Sequence, residues 1–314
     1  MSDTKIFLGS NGGTINNLSI EEVMNLLGSV KNEPLYKHTH FKIGGPADWF
    51  FIAQTPDDLS VARIVARSRG MAMFIIGAGS NLLVSDEGLR GLVIKLGGAF
   101  TSLEEDADSG LMKVGAAVRL PDLARAFKDR NASGLEWAFG VPGTVGGAIF
   151  MNAGTDLGEM KDVIEKVIVE GRGGTVCETN ATACGFGYRR SRFQHTGEFI
   201  LSAIVRLGNS PFREDMARTA LEHRKNTQPL QLPNCGSVFA NPQNDFAARL
   251  IEEAGLKGRT IGGAQISTMH ANFIVNLGNA KAQDVKALID LAKMEVKNKF
   301  GIELRSEVRM LGKF

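Results

Sequence analysis

Near the C-terminus four charged residues, Glu303, Arg305, Glu307 and Arg309, alternate with the apolar Ile302, Leu304, Val308 and Met310. A strand of period two over 302–310 would carry all four charges on one face, and by spacing alone that face is a solvated one. The run 188–192, Tyr-Arg-Arg-Ser-Arg, sets three guanidinium groups beside a phenol, and alone it reads as a basic surface patch. Ser237 stands in Cys-Gly-Ser-Val-Phe with no His–Asp pair near it, which suits a turn serine and not a hydrolase nucleophile. The histidines, His38, His40, His195, His223 and His270, show no H-x-x-x-H spacing, so no metal is expected.

Glycine is the unusual component, 37 residues of 314, well above the usual ~7% and without a three-residue period. The run Gly77-Ala78-Gly79-Ser80-Asn81-Leu82 follows a buried-strand pattern. It is no dinucleotide fingerprint of the Rossmann kind: Leu82 stands where the third glycine belongs, and a second apolar run follows where a helix should. Its successive backbone N–H groups suit either a pyrophosphate nest or a tight turn between strands. A second cluster, Gly140-Val-Pro-Gly-Thr-Val-Gly-Gly147 with Asn152, Ala153 and Gly154, would let backbone lie against a flat or extended ligand. There Thr144 and Asn152 add side-chain donors. A third lies at 41–48, and three ordinary turns remain the competing reading of the set.

These residues need a frame. At roughly 150 residues per domain the length allows two or three domains with ample core. Hydrophobic content of 43% with 22% charged residues is that of a soluble globular protein. Lys+Arg 36 against Asp+Glu 34 gives +2, with basic residues dispersed among acids, so a nucleic-acid partner is not expected. Cys177, Cys184 and Cys235 make neither a disulfide framework nor a zinc site, which fits a reducing cytoplasm. The longest apolar run, 71–76, is far short of a membrane span, and no signal-peptide pattern is seen. Residues 1–18 read as a loose arm, 19–96 as a first α/β lobe, 97–210 as a second lobe, and 211–314 as a third, more helical one. Helices are expected over 19–30, 56–68, 121–130, 213–226, 245–254 and 281–300. The last is amphipathic, with Val285, Leu288, Ile289, Ala292 and Val296 on one face. Strands are expected over 49–53, 73–76, 92–96, 111–118, 163–170, 199–207 and 271–276, with a turn at 171–174.

Seven strings are similar, in order and spacing, to those of the UDP-N-acetylenolpyruvoylglucosamine reductase family: Lys42-Ile-Gly-Gly-Pro-Ala-Asp48, Gly77-Ala-Gly-Ser-Asn-Leu-Leu-Val84, Gly134-Leu-Glu-Trp-Ala, Gly140-Val-Pro-Gly-Thr-Val-Gly-Gly147, Gly187-Tyr-Arg189, Asn234-Cys-Gly-Ser-Val-Phe-Ala-Asn-Pro242 and Arg305-Ser-Glu-Val-Arg309. The match runs from about residue 36 to the C-terminus. It implies an α+β chain: a vanillyl-alcohol-oxidase-type FAD-binding fold of two lobes plus a C-terminal substrate-binding domain. The short interval between Tyr188 and Ser237 implies the family's second type, which lacks an extra tyrosine-bearing loop.

By the same resemblance the chain is an NADPH-dependent reductase of UDP-N-acetylglucosamine enolpyruvate, yielding UDP-N-acetylmuramate for peptidoglycan precursors. FAD would be held non-covalently by Ile43, Gly44, Gly45, Gly77, Ala78, Gly79, Ser80, Asn81, Leu82, Gly140, Val141, Pro142, Gly143, Thr144, Gly146, Gly147, Asn152, Ala153 and Gly154. His38 is the position to inspect for covalent attachment. The resemblance makes Arg189 and Glu307 the polarising pair for the substrate carboxylate and Ser237 the proton donor. Tyr188, Asn241 and Arg309 become substrate contacts; apart from the resemblance, the charge of Lys225 makes it a candidate for the diphosphate, and His270 is a candidate to face the substrate in the third lobe. For Lys225 a solvated helix end is an equal reading. Trp137 and Cys235 depart from the family strings, and an exposed Cys235 would invite thiol modification beside Ser237. Competing readings are an oxygen-using oxidase on the same fold and a non-catalytic flavin or sugar-nucleotide sensor. A cytoplasmic monomer is expected.

Overall fold

The computed structural model describes residues 7–8, 13–14, 18–106 and 109–314. Most of the expected N-terminal arm therefore lies outside the described residues. Within it β1 (Phe7–Leu8) pairs antiparallel with β2 (Gly13–Thr14). Ser19 opens α1 (Ile20–Leu26) with a capping box: its hydroxyl accepts from the Glu22 N–H at 3.2 Å and the Glu22 carboxylate accepts from the Ser19 N–H at 2.7 Å.

The first lobe is a four-stranded sheet ordered β3 (Val30–Pro34), β4 (Pro46–Ala53), β7 (Leu89–Leu96), β5 (Met73–Ile75). Strands β4, β7 and β5 run parallel, as the crossover through α2 (Pro56–Ser68) allows. That helix occupies the expected span, with Thr55 and Asp58 as its capping box and proline in the first turn. Strand β6 (Leu82–Val84) leaves this sheet and pairs parallel with β18 (Arg309–Leu311).

The second lobe is an antiparallel sheet ordered β13 (Val176–Asn180), β12 (Ile164–Glu170), β14 (Phe199–Arg206), β9 (Leu111–Gly115), β8 (Leu103–Asp106). Helices α3 (Leu120–Asp129), α4 (Val145–Met151) and the one-turn α5 (Phe193–Thr196) accompany it, together with the small hairpin β10 (Gly154–Thr155)–β11 (Gly158–Glu159). Phe127, Trp137, Ile149, Val167, Phe193 and Ala203 fill one core there.

The C-terminal region contains α6 (Glu214–Thr227), α7 (Ala247–Glu253), a three-stranded sheet of β15 (Thr260–Ile261), β16 (Ala264–Ile266) and β17 (Ile274–Asn276), and α8 (Ala282–Phe300). The expected face of α8, Val285 through Val296, is buried throughout. It packs in one core with Phe41, Ile43 and Leu83 from the start of the chain, so the third region is seated on the first.

The expected strand over 302–310 is not formed. Glu303 is exposed and paired with Lys297 at 2.5 Å, Phe239 and Ser306 make an isolated bridge, and only 309–311 is strand. The alternation is real in burial at Leu304 and Val308, but the backbone is held by neighbouring loops. Glu307 N–H donates to the Val238 carbonyl at 2.8 Å and Arg309 N–H to that of Asn81 at 3.0 Å. The four charges therefore do not share a sheet face.

Candidate active site

A cavity of about 1640 Å³ lies where the three regions converge. Its walls include the β5–β6 loop, the segment entering α4, the turn before α5, one face of α6, and the loops carrying Ser237 and Glu307. Arg189 is placed there by a tight turn. Gly187 and Arg190 exchange backbone hydrogen bonds at 3.0 and 3.1 Å, and Arg189 itself is left-handed, with φ 55°. A non-glycine residue in that region costs about 1 kcal/mol or more, so its surroundings must hold it. They do: Nη2 donates to the Gly154 carbonyl at 2.6 Å, Nε pairs with Glu307 Oε1 at 3.1 Å, and the guanidinium lies 4.9 Å from the Tyr188 ring centroid.

Glu307 arrives from the other side of the cleft. Asn81 Nδ2 donates to its carbonyl at 3.0 Å, tying the β5–β6 loop to the residue. Both ionic side chains are largely covered, 16% exposed for Arg189 and 17% for Glu307. Burial pushes the Glu307 carboxyl above its ordinary range, and Arg189 and Arg305 oppose the shift without cancelling it. Ser237 lines the same cleft, in a loop fixed by Asn234 and Asn272. Asn234 Oδ1 accepts from the Gly236 N–H at 2.9 Å, and Asn272 Oδ1 accepts from that of Phe239 at 2.9 Å while its Nδ2 donates to the Phe239 carbonyl at 2.8 Å. A carboxyl group, a guanidinium and a hydroxyl thus face one space, which suits stabilising and protonating an enolate-like carbon.

Residues 228–311 match the profile of the UDP-N-acetylenolpyruvoylglucosamine reductase C-terminal domain, and residues 47–180 that of an FAD binding domain. The UDP-N-acetylenolpyruvoylglucosamine reductase 2 of Symbiobacterium thermophilum is 43% identical over 285 residues, covering 89% of this chain and 91% of the relative. The chain belongs to the UDP-N-acetylenolpyruvoylglucosamine reductase family. A Synechococcus relative of that name is 44% identical over 289 residues, covering 91% of this chain and 95% of its own. The crystal structure of the Thermus caldophilus reductase superposes with a TM-score of 0.75 at 36% identity, covering 90% of this chain and 98% of that one. The α+β FAD-binding fold with its C-terminal domain is accordingly that of this reductase family.

The reductase cleft fits a flavin dinucleotide. Its volume exceeds the roughly 300–1,000 Å³ of ordinary ligand pockets. A Cβ on Gly79 (φ 71°) would stand 2.0 Å from the His38 carbonyl oxygen, so this backbone needs glycine to lie against its neighbour. Gly143 and Gly147 differ: a Cβ there meets nothing closer than 3.4 and 3.5 Å, and their missing side chains leave room in the cleft. Gly77, Ala78, Gly79, Ser80, Asn81 and Leu82 all line it. So do Val141, Pro142, Gly143, Thr144, Gly146 and Gly147, and beyond α4 Ala153 and Gly154. Thr144 caps α4, its hydroxyl accepting from the Gly147 N–H at 3.3 Å. Tyr188, Asn241 and Arg309 line the reductase cleft too, with the Tyr188 hydroxyl accepting from the Asn241 N–H at 3.4 Å.

Seven expected residues do not line it. Ile43 is core, and a Cβ on Gly44 or Gly45 would strike Val84 or the Asp86 carbonyl, so that string is a packing contact with 84–88. Gly140 turns toward Leu221 of α6. Asn152 is wholly buried: its amide donates to Glu159 and to the Gly187 carbonyl, both at 3.0 Å, and its oxygen accepts from the Lys161 N–H at 2.9 Å. Lys225 sits on the exposed face of α6. His270 supports its own loop, Nδ1 accepting from the Asn272 N–H at 3.2 Å, with burial holding its pKa down. His38 also stays off the cleft, paired with Glu33 at 3.0 Å and stacked on Phe50.

Sequence reasoning missed Lys95, Arg119 and Arg224 in the lining. Helical periodicity held the signal for Arg224, since Asp215, Met216, Thr219, Ala220 and His223 are the other α6 residues lining the cleft, and 216, 220 and 224, like 215, 219 and 223, are four apart. Burial lowers the pKa of both Arg224 and Lys95, and Arg224 Nε has no protein partner. Cys235 is buried, which raises its thiol pKa and removes the concern about modification.

Proposed function

We propose that this chain reduces UDP-N-acetylglucosamine enolpyruvate to UDP-N-acetylmuramate, using FAD and NADPH, as a cytoplasmic step toward peptidoglycan precursors. The observation that carries the reading is the Arg189–Glu307 pair at 3.1 Å, set in the same cleft as Ser237. FAD, when bound, supplies to the enolpyruvyl double bond a hydride taken from NADPH. The chain's own residues do the rest. Arg189 and Glu307 bind the substrate carboxylate and take up the charge that grows on it as the adjacent carbon becomes enolate-like. Glu307, with its raised pKa, is suited to hold a proton there and donate a hydrogen bond. Ser237 gives its hydroxyl proton to that carbon and regains one from solvent.

Tyr188, Asn241 and Arg309 are assigned to substrate orientation, and the Gly77–Leu82 and Val141–Gly147 loops to the flavin. Arg224, in place of Lys225, joins Arg119 and Lys95 as the cationic end suited to a nucleotide diphosphate. The test is product analysis. Incubated with NADPH and UDP-N-acetylglucosamine enolpyruvate, the flavoprotein should yield a product heavier by two hydrogens, and Ser237→Ala should form it about 10²–10⁴-fold more slowly while leaving flavin bound. An unchanged substrate would contradict the reading.

A further inference from the structure

Glu159 is a second carboxylate near Arg189, on Nη1 where Glu307 is on Nε, and nothing in the reaction above uses it. Its Oε1 is 4.0 Å from Arg189 Nη1, and its other oxygen accepts from Asn152 Nδ2 at 3.0 Å. The hairpin β10–β11 holds the guanidinium at its base, with the Gly154 carbonyl on one strand and, in the paired register position, Glu159 on the other. The glycine is what makes room: a Cβ on Gly154 would lie 2.8 Å from Glu159 Cγ and 2.4 Å from the Gly158 carbonyl oxygen. Asn152, left-handed at the end of α4, fixes both the carboxylate and the Gly187 carbonyl of the turn that carries Arg189. Carboxylate and guanidinium are thus hung from one buried amide.

We propose that Glu159 is a positioning residue for Arg189, and the counter-charge that keeps the guanidinium anchored when Glu307 holds a proton; this rests on the reaction proposed above. With two carboxylates sharing one arginine, protonating one leaves the other paired, so Arg189 need not move as Glu307 changes state. Glu307 faces Arg189, Arg305 of its own segment, and the Cys235 thiol. Glu159 faces Lys161 at 2.7 Å, and its N–H donates to Asp162 at 2.7 Å.

Glu159→Gln keeps an oxygen for Asn152 and removes the charge. In the flavin-loaded protein, the infrared carboxylic-acid band that disappears in Glu307→Gln reports Glu307 and can be followed against pH. Without the Glu159 charge Arg189 belongs to Glu307 alone, so the midpoint of that band should fall by about one pH unit. Glu159→Asp, which keeps the charge, should return it toward wild type. Flavin reduction by NADPH should be unchanged, and reoxidation by the enolpyruvyl substrate about tenfold slower. A midpoint that does not move in Glu159→Gln overturns the proposal, whatever the rates. If wild-type flavin is not reoxidised by that substrate the functional reading falls instead, and the infrared midpoint still decides the coupling.

Discussion

Arg189 Nε lies 3.1 Å from Glu307 Oε1, a contact that joins the turn before α5 in the second lobe to the segment that leads into β18. The pair is a structural tie and, on our reading, the charge sink of the reaction. Replacing the planar fork with a point charge separates these roles. Arg189→Lys should keep flavin binding and slow the substrate-dependent step about 10²-fold, as loss of one oriented donor does elsewhere. Stopped-flow measurement of each half-reaction checks it, and equal loss in both would mean that the turn, not the chemistry, was damaged.

The raised pKa of Glu307 makes a prediction about stability. The folded state binds this proton more tightly than the unfolded chain, so Glu307 favours folding at low pH. That contribution is lost as pH rises from about 4.5 through the folded-state pKa and is level beyond it. Urea unfolding of wild type and Glu307→Gln across this range should show the wild type losing ground to the variant as pH rises. An opposite slope would mean that Arg189 outweighs burial.

Cysteine chemistry should be silent at the site. Cys184 is buried with its thiol pushed up to about 11, and Cys235 is buried and shifted in the same direction, whereas Cys177 is exposed. Iodoacetamide on the folded protein should give one adduct, at Cys177, with full activity. Modification of Cys235 in the native protein would contradict its burial.

Two glycines with different surroundings should fail differently. Gly79→Ala places a methyl 2.0 Å from a backbone oxygen at φ 71° and should destabilise the fold. Gly147→Ala meets only Thr144 Oγ1 at 3.5 Å and should fold normally but weaken FAD retention. Thermal unfolding and flavin content, measured on both, separate the two effects.

The helical frame was readable because its signals are local. Pro56–Ser68 carries its own cap, and α8 its full apolar face, so both needed nothing distant. The 302–310 segment was misread because alternation mimics a strand while the partners that hold it, Val238 and Asn81, are loop residues far away in the chain. Gly44 and Gly45 looked like ligand glycines, yet their bareness serves backbone packing on 84–88, a distinction that composition does not carry. Charge alone left Lys225 open between a ligand contact and a solvated helix end; the register of α6 turns it outward and Arg224 into the cleft. Glu159 had no sequence signal: its link to Arg189 passes through Asn152 and a two-residue hairpin.

Ser237 is the most direct point of attack on the central claim. Wild-type and Ser237→Ala flavoprotein would be reduced anaerobically with NADPH, mixed with UDP-N-acetylglucosamine enolpyruvate, and followed by the oxidised-flavin absorbance. The account predicts prompt return of the band in the wild type, with UDP-N-acetylmuramate formed, and a return slower by about 10²–10⁴-fold in the variant, while both are bleached at the same rate. A wild-type band that stays bleached until oxygen enters would contradict the reductase reading, and an unaffected variant would remove Ser237 from the chemistry.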